Sequence, residues 1–252
     1  MKLILCGYYG HMAEEVKKLA EAGYCDAEIL FGVDPGAKDT DGVCARSFDG
    51  VSEAVCTDAD CIVDFSHHSA TSSLLSFAKA KHLPVILATT GQTEEEKSMI
   101  RAAAEEIPVF FAANYSLGIA LLIELAKKTA AAFPDADIEI VEKHHNRKLD
   151  APSGTALAIA EAIASVRRSA FLKLGRCGQS KRDKNEIGIH ALRLGNVVGE
   201  HEVIVATAAE TVTLRHEAHS RALFAQGALK AAAFLSGAAP GLYTMQSLIN
   251  DR

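Results

Sequence analysis

The sequence predicts an α/β protein: a Rossmann-like, doubly wound parallel-sheet domain, then a smaller α+β domain. Three observations predict it. Short apolar runs alternate with helical patterns through the first half of the chain. A glycine-containing turn joins the first run to the first helix. After Ser116 the texture changes to one long apolar helix followed by closely spaced, alternating strands. Strands that alternate with helices build βαβ units and a parallel sheet covered on both faces.

Lys2 to Cys6 reads as a strand, and His11 to Ala22 as a helix with Ala13, Val16, Leu19 and Ala20 on one face. Ala27 to Val33 and Asp60 to Phe65 are the next strands, Ser69 to Lys81 a helix, Pro84 to Ala88 a strand, Thr93 to Glu105 a helix and Pro108 to Ala112 a fifth strand. A long apolar helix follows from about Leu117 to Phe133. Strands are expected at Asp137 to Glu142, Ile187 to Leu194, Glu202 to Ala208 and Thr211 to His216, the last three in an antiparallel or mixed sheet. Pro152 to about Val166 is a helix, Gly175 to Glu186 an exposed loop, and Ser220 to Leu235 a final helix. The expected domains are 1–114 with 220–252, and 115–219. The last helix is assigned to the first domain because a sheet capped on one side needs a second cover.

Bulk properties narrow the function. The chain has 252 residues, is 49% hydrophobic and carries a formal net charge of −6. A mildly acidic chain does not offer the basic face that nucleic acid requires. No apolar run approaches the ~18 residues of a membrane span, and the start, MKLILCGYYG, lacks the long apolar core of a signal peptide. The six cysteines show no C-x-x-C pair, so reduced, buried thiols in a cytoplasmic protein are expected.

Two motifs carry chemistry. In the first, Gly7-Tyr8-Tyr9-Gly10-His11-Met12-Ala13 joins strand to helix. Such a turn faces backbone N–H groups towards a pyrophosphate, and the helix start adds positive potential. Asp34 ends the second strand, where a carboxylate can accept hydrogen bonds from the ribose hydroxyls of NAD. An ordinary βα turn is the competing reading of the glycines alone. Pro35 and Gly36 follow Asp34 with no adjacent Arg, and a carboxylate repels a 2′-phosphate, so NADH is favoured over NADPH.

The second motif runs from Glu142 to Ala156. A strand ends in His144 and His145, a basic turn with Arg147 and Lys148 follows, and a helix begins after Pro152-Ser153-Gly154-Thr155. Ser153 or Thr155 can supply a side-chain oxygen, Gly154 leaves backbone N–H groups bare, and an anion would sit there beside Lys148. His144 can donate a proton. Lys148 either holds a carboxylate or is itself the acid. Taken singly, each residue also fits a structural role. No metal is expected, because adjacent strand residues point to opposite faces and no Cys or third His falls at ligand spacing.

HHNRKLDAPSGTA resembles the signature of the dihydrodipicolinate reductase family, and every fixed position of that pattern is present. The resemblance extends to Asp64-Phe65-Ser66, Ala88-Thr89-Thr90-Gly91, Ala112-Ala113-Asn114-Tyr115-Ser116-Leu117-Gly118, Arg193-Leu194-Gly195 with Gly199-Glu200-His201, Ser220-Arg221, Phe224 to Ala228 and Pro240-Gly241-Leu242-Tyr243. Three positions depart from it: Ala13 and Ala88 replace common glycines, and Ala120 stands where Asn is frequent.

The resemblance implies a reductase of lysine and diaminopimelate biosynthesis. It would transfer a hydride from NADH or NADPH to a cyclic imine dicarboxylate, 4-hydroxy-tetrahydrodipicolinate, giving tetrahydrodipicolinate. It implies cofactor contacts from Gly7, Tyr8, Tyr9, Gly10, His11, Met12, Asp34, Ala88, Thr89, Thr90, Ala112, Ala113, Asn114 and Tyr115. The second domain would bind the substrate through His145, Gly154 and Thr155. His144 would be the proton donor and Lys148 a second one. Hinges are expected near Asn114–Ser116 and Ser220, and a homotetramer through the second domain's sheet. Two other readings compete: a non-catalytic NAD-binding sensor or scaffold, and another two-domain dehydrogenase acting on an amino-acid-like substrate. A semialdehyde dehydrogenase would need a nucleophilic Cys, and none stands in such a context. Arg193, Glu200 and His201 are expected to tie strands together as a structural ion pair, or to wall the site.

Overall fold

A computed structural model describes residues 1–38 and 42–250. Two compact units emerge, Met1–Ser116 with Arg221–Arg252, and Leu117–Ser220.

The first unit opens with β1 (Lys2–Cys6), α1 (His11–Glu21) and β2 (Glu28–Val33), then β3 (Cys44–Ala45), α2 (Glu53–Asp58) and β4 (Cys61–Asp64). α3 (Thr71–Lys81), β5 (Val85–Leu87), α4 (Glu94–Ala103) and β6 (Pro108–Phe111) follow. The central strands are apolar throughout because both faces of the sheet are covered: every residue of β4 and β5 is buried. Alternate strand residues Ile4, Ile62, Val85 and Val109 share one core with Leu74, Leu75 and Ala78 of α3 and Ile100 and Ala103 of α4. The α4 start is fixed by a capping box. Thr93 Oγ1 accepts from Glu96 N–H at 3.2 Å, and Glu96 Oε2 accepts from Thr93 N–H at 2.7 Å.

The second unit is built from α5 (Leu117–Ala132), β7 (Asp137–His144), α6 (Gly154–Ala164), β8 (Phe171–Leu174), β9 (Glu186–Arg193), β10 (Gly199–Ala206) and β11 (Thr211–Ala218). Its sheet is mixed, in the order β11-β10-β7-β9-β8. β7, β9 and β8 run parallel, and β10 is antiparallel to both β7 and β11. α5 and α6 pack together on one face, where Ile119, Leu122 and Ala126 meet Ile138, Ile140, Ile159, Ile163, Val203 and Val205.

The chain returns to the first unit with α7 (Ala222–Leu235), β12 (Gly241–Tyr243) and α8 (Met245–Asn250). α7 packs on α1 and on β4, β5 and β6. The completed sheet is parallel, in the order β12-β6-β5-β4-β1-β2-β3. The connection after β1 runs to β2 on one side and the connection after β4 runs to β5 on the other, so the crevice beyond the ends of β1 and β4 is the topological switch point.

Five short elements were not expected from the sequence: β3, α2, β8, β12 and α8 have two to six residues each, too few for a period to show. Pro152 lies outside α6, which starts two residues later with Ser153 as its N-cap. The cysteines depart in part from the expected burial. Cys6, Cys44, Cys56 and Cys61 are buried, Cys25 is half-buried and Cys177 is exposed; all six are free thiols. Among the described residues, no helix is long and apolar enough to cross a membrane, and no group of three His, Cys, Asp or Glu is placed to hold a metal ion.

Candidate active site

In the first unit the glycine turn sits at the switch point. Gly7 has φ +75°, and a Cβ there would lie 2.7 Å from the carbonyl oxygen of Phe65 after β4, so only glycine fits. Gly7 N–H donates to Val33 O at 2.9 Å, and Gly10 N–H returns to Gly7 O at 2.8 Å. Gly10 then caps α1 without a side chain, and the first-turn N–H groups of His11, Met12 and Ala13 have no acceptor within the helix. Ala13 is fully buried, which shows that a methyl suits this position.

Asp34 links the turn to the end of β2. Its Oδ2 accepts from Tyr9 N–H at 3.1 Å and its Oδ1 from Gly36 N–H at 2.8 Å. Gly7, Gly10 and Asp34 line a cavity of about 740 Å³ together with Arg46, Asp49 and Phe48. A second cavity of about 230 Å³ is lined by Met12, Ala88, Ala113, Asn114 and Tyr115, with Phe224 of α7. These two hollows hold eight of the fourteen expected cofactor residues.

The remaining six lie around them. Tyr8 turns its ring onto Gly32 of β2, where a Cβ would strike it, and Lys17 stacks over it at 4.4 Å. Tyr9 is half exposed, and its ring meets that of Tyr8 edge-on. His11 opens α1, and Thr90 and Ala112 follow β5 and β6. The Thr89 hydroxyl donates to Asp64 Oδ2 at 3.2 Å. Asp64 also accepts from Ser66 N–H and Oγ–H, and burial raises its pKa against those bonds. The bond to Asp64 ties Thr89 to the end of β4. The orphan N–H groups, the Cβ-free approach and the carboxylate after β2 fit a dinucleotide.

In the second unit, β7 alternates buried and half-buried residues, and its buried face runs Ile138, Ile140, Glu142, His144. Two apolar positions thus give way to two polar ones without a change of face. Glu142 is fully buried. Arg193 of β9 grips it with both terminal nitrogens, Nη1 to Oε2 and Nη2 to Oε1, each at 2.8 Å. Ser153 N–H donates to Oε1 at 3.0 Å, and His144 Nδ1 lies 2.5 Å from Oε2. Burial pushes the Glu142 pKa up, but these hydrogen bonds outweigh it and hold the carboxyl at about 2.

The β7–β10 register sets Glu142 opposite His201. His201 is buried, its Nε2 lies 3.1 Å from Ser153 Oγ, and its ring meets that of His144 edge-on at 5.2 Å. Burial, reinforced by the nearby His144, lowers its pKa to about 4. Ser153 Oγ also accepts from Ala156 N–H at 3.2 Å. Gly154 opens α6, and its Cα faces open space.

The basic turn is folded onto the loop between β9 and β10. Leu194 N–H donates to His144 O, Asn146 N–H to Gly195 O, and Arg147 to Asn196 Oδ1. Lys148 Nζ pairs with Asp150 Oδ1 at 2.7 Å, and Arg193 Nη2 donates to Asp150 O at 2.5 Å. His144, Lys148, Gly154 and Thr155 are thus gathered at one end of the sheet. His145 follows the last residue of β7 and is half-buried.

Arg193, Glu200 and His201 do not form one ion pair. Glu200 faces the other side of the sheet, where Lys143 and Arg215 neutralise it, while Arg193 and His201 belong to the Glu142 cluster. Sequence reading assigned Glu142 and Arg46 no role. The signal for Glu142 was its place on the apolar alternation of β7, two residues before His144. Arg46 is twelve residues from Asp34, and only the short β3 beside β2 brings it to the same cavity.

A doubly wound unit with a dinucleotide turn, joined to an α+β unit carrying a His–Lys–helix-start cluster, defines a pyridine-nucleotide oxidoreductase of two units. The family described as dihydrodipicolinate reductase, N-terminus, matches residues 1–115, and its C-terminus counterpart matches residues 118–249. The 4-hydroxy-tetrahydrodipicolinate reductase of Caldanaerobacter subterraneus subsp. tengcongensis is 45% identical over 251 residues, covering 99% of this chain and 98% of that one. That of Clostridium novyi is 43% identical over 253 residues, covering 100% and 99%. A dipicolinate-bound dihydrodipicolinate reductase from Paenisporosarcina sp. TG-14 has the same fold, with a TM-score of 0.82 at 23% identity and 99% coverage of each chain. The chain belongs to the dihydrodipicolinate reductase family.

Proposed function

We propose that this chain reduces 4-hydroxy-tetrahydrodipicolinate to tetrahydrodipicolinate with a reduced pyridine nucleotide, in lysine and diaminopimelate biosynthesis. The observation that carries the reading is the cluster at the end of β7, where His144 and Lys148 stand beside the start of α6. Bound in the first unit, the nicotinamide supplies a hydride. The chain's own residues bind and orient the partners and deliver a proton. Gly154 N–H and Thr155 hold one ring carboxylate at the helix start, where positive potential is highest. Lys148 and His145 add positive charge or hydrogen bonds. His144 Nε2 and Lys148 Nζ are the atoms from which a proton reaches the electron-rich carbon left by hydride addition.

NADH is the favoured donor. The larger cavity presents two carboxylates, Asp34 and Asp49, and one guanidinium, Arg46, whose Nε donates to Ala37 O at 2.8 Å. Two anions against one cation oppose a 2′-phosphate. The protein is further proposed to be a cytoplasmic homotetramer. β8 is exposed along its whole length, and Phe171, Leu172 and Leu174 give that sheet edge an apolar surface suited to burial.

Substrate made in the cuvette by the upstream synthase should drive oxidation of both NADH and NADPH, with the lower KM for NADH. Arg46→Ala should raise the KM for NADPH and leave that for NADH unchanged. Binding of NADH without its consumption would turn the reading into that of a nucleotide sensor.

A further inference from the structure

Glu142 is a buried carboxylate that the proposed reaction does not itself use. An apolar residue would continue the face of Ile138 and Ile140 without the desolvation cost of a charge. What the carboxylate does instead is visible in its bonds. Ionised and held by Arg193 and by Ser153 N–H, it can only accept, so the hydrogen it shares with His144 belongs to Nδ1. Nε2 is then the atom left to exchange a proton. It lies beside Gly199 of β10, where a Cβ would come within 3.1 Å of it. The clearance at Nε2 depends on residue 199 having no side chain.

Other elements complete the surroundings of His144. Arg193 reaches in from β9 and His201 from β10, and the Lys148–Asp150 pair lies in the following turn. His216 of β11 stands opposite His201. The charges are balanced in pairs, Glu142 with Arg193 and Lys148 with Asp150. Arg193 joins the two pairs, because the nitrogen that holds Glu142 Oε1 also donates to the carbonyl of Asp150.

We propose that Glu142 is a positioning residue for the reaction: clamped by Arg193, it holds His144 as the Nδ1–H tautomer with Nε2 presented for proton transfer. The inference rests on the reading of His144 as a proton donor. A carboxylate on Nδ1–H also stabilises the imidazolium relative to a neutral partner.

Glu142→Gln keeps the shape and removes the anion. It should lower kcat by about 10- to 100-fold and leave the KM for NADH unchanged. The pH at which kcat is lost on raising the pH should move down. In the His144→Gln background the same substitution should cost little more, because its effect passes through the imidazole. Equal losses in both backgrounds, or wild-type kcat with an unmoved pH profile, would overturn the inference. Wild-type turnover by His144→Gln alone would overturn the reading beneath it, and so the two failures are told apart. If Glu142→Gln does not fold, Arg193→Lys keeps the cation but removes the two-pronged grip. It should also lower kcat, and wild-type kcat there would overturn the inference.

Discussion

His144→Gln and Lys148→Ala should each lower kcat by about 10²- to 10⁴-fold, the usual cost of losing a general acid, without loss of NADH binding. Neither Gln nor Ala can release a proton at neutral pH, while neither change touches the glycine turn. The two positions differ in what else they supply. His144 is almost buried, fixed by Glu142 and edged by His201, so its loss should appear in kcat more than in KM. Lys148 is partly exposed and paired with Asp150, so it can serve both as acid and as carboxylate holder. Lys148→Arg separates those roles, because a guanidinium keeps the charge but does not deprotonate. KM should be restored and kcat should not. Steady-state kinetics with NADH provides the check, and wild-type kcat in both His144→Gln and Lys148→Ala would show the assignment to be wrong.

Gly227→Ala should be the most damaging small change in the first unit. α7 crosses the end of the β6 connection so closely that a Cβ at residue 227 would lie 1.7 Å from Tyr115 O. That carbonyl cannot swing aside freely. The Tyr115 side chain is buried, with its hydroxyl 2.9 Å from Leu87 O and 3.1 Å from Phe110 O. The helix must move instead, and its neighbours Ala225, Ala228 and Leu229 are fully buried. Overpacking of this kind costs about 1–3 kcal/mol, sometimes more, and each kcal/mol lowers the melting midpoint by about 2–4 °C in a chain of this size. Tyr115 and Asn114 line the smaller cavity, so NADH affinity should fall with Tm. A midpoint and an NADH affinity both equal to wild type would refute the close approach.

The fold was legible where a period had room to repeat. β1, β4 and β5 stand out as apolar runs because the sheet is covered on both faces, and α1 and α4 through their apolar spacing and, in α4, its Thr93 cap. β3 and β12 were not, because two or three residues hold their places by backbone pairing to β2 and β6, which no side-chain pattern records. The candidate site was legible where its proposed residues fall in one stretch: His144, Lys148, Gly154 and Thr155 lie within twelve positions. What escaped was supplied by other strands. Arg193 meets Glu142 across β7 and β9, and His201 meets Ser153 from β10. Those pairings depend on register, which follows from the folded sheet and not from spacing along the chain.

A crystal structure of the enzyme with NADH and dipicolinate would show where the planar dicarboxylate is held. One carboxylate should accept from Gly154 N–H and the Thr155 side chain, with the ring facing His144 Nε2 and Lys148 Nζ. Dipicolinate bound by other residues, with the segment from 144 to 155 making no contact to it, would contradict this account.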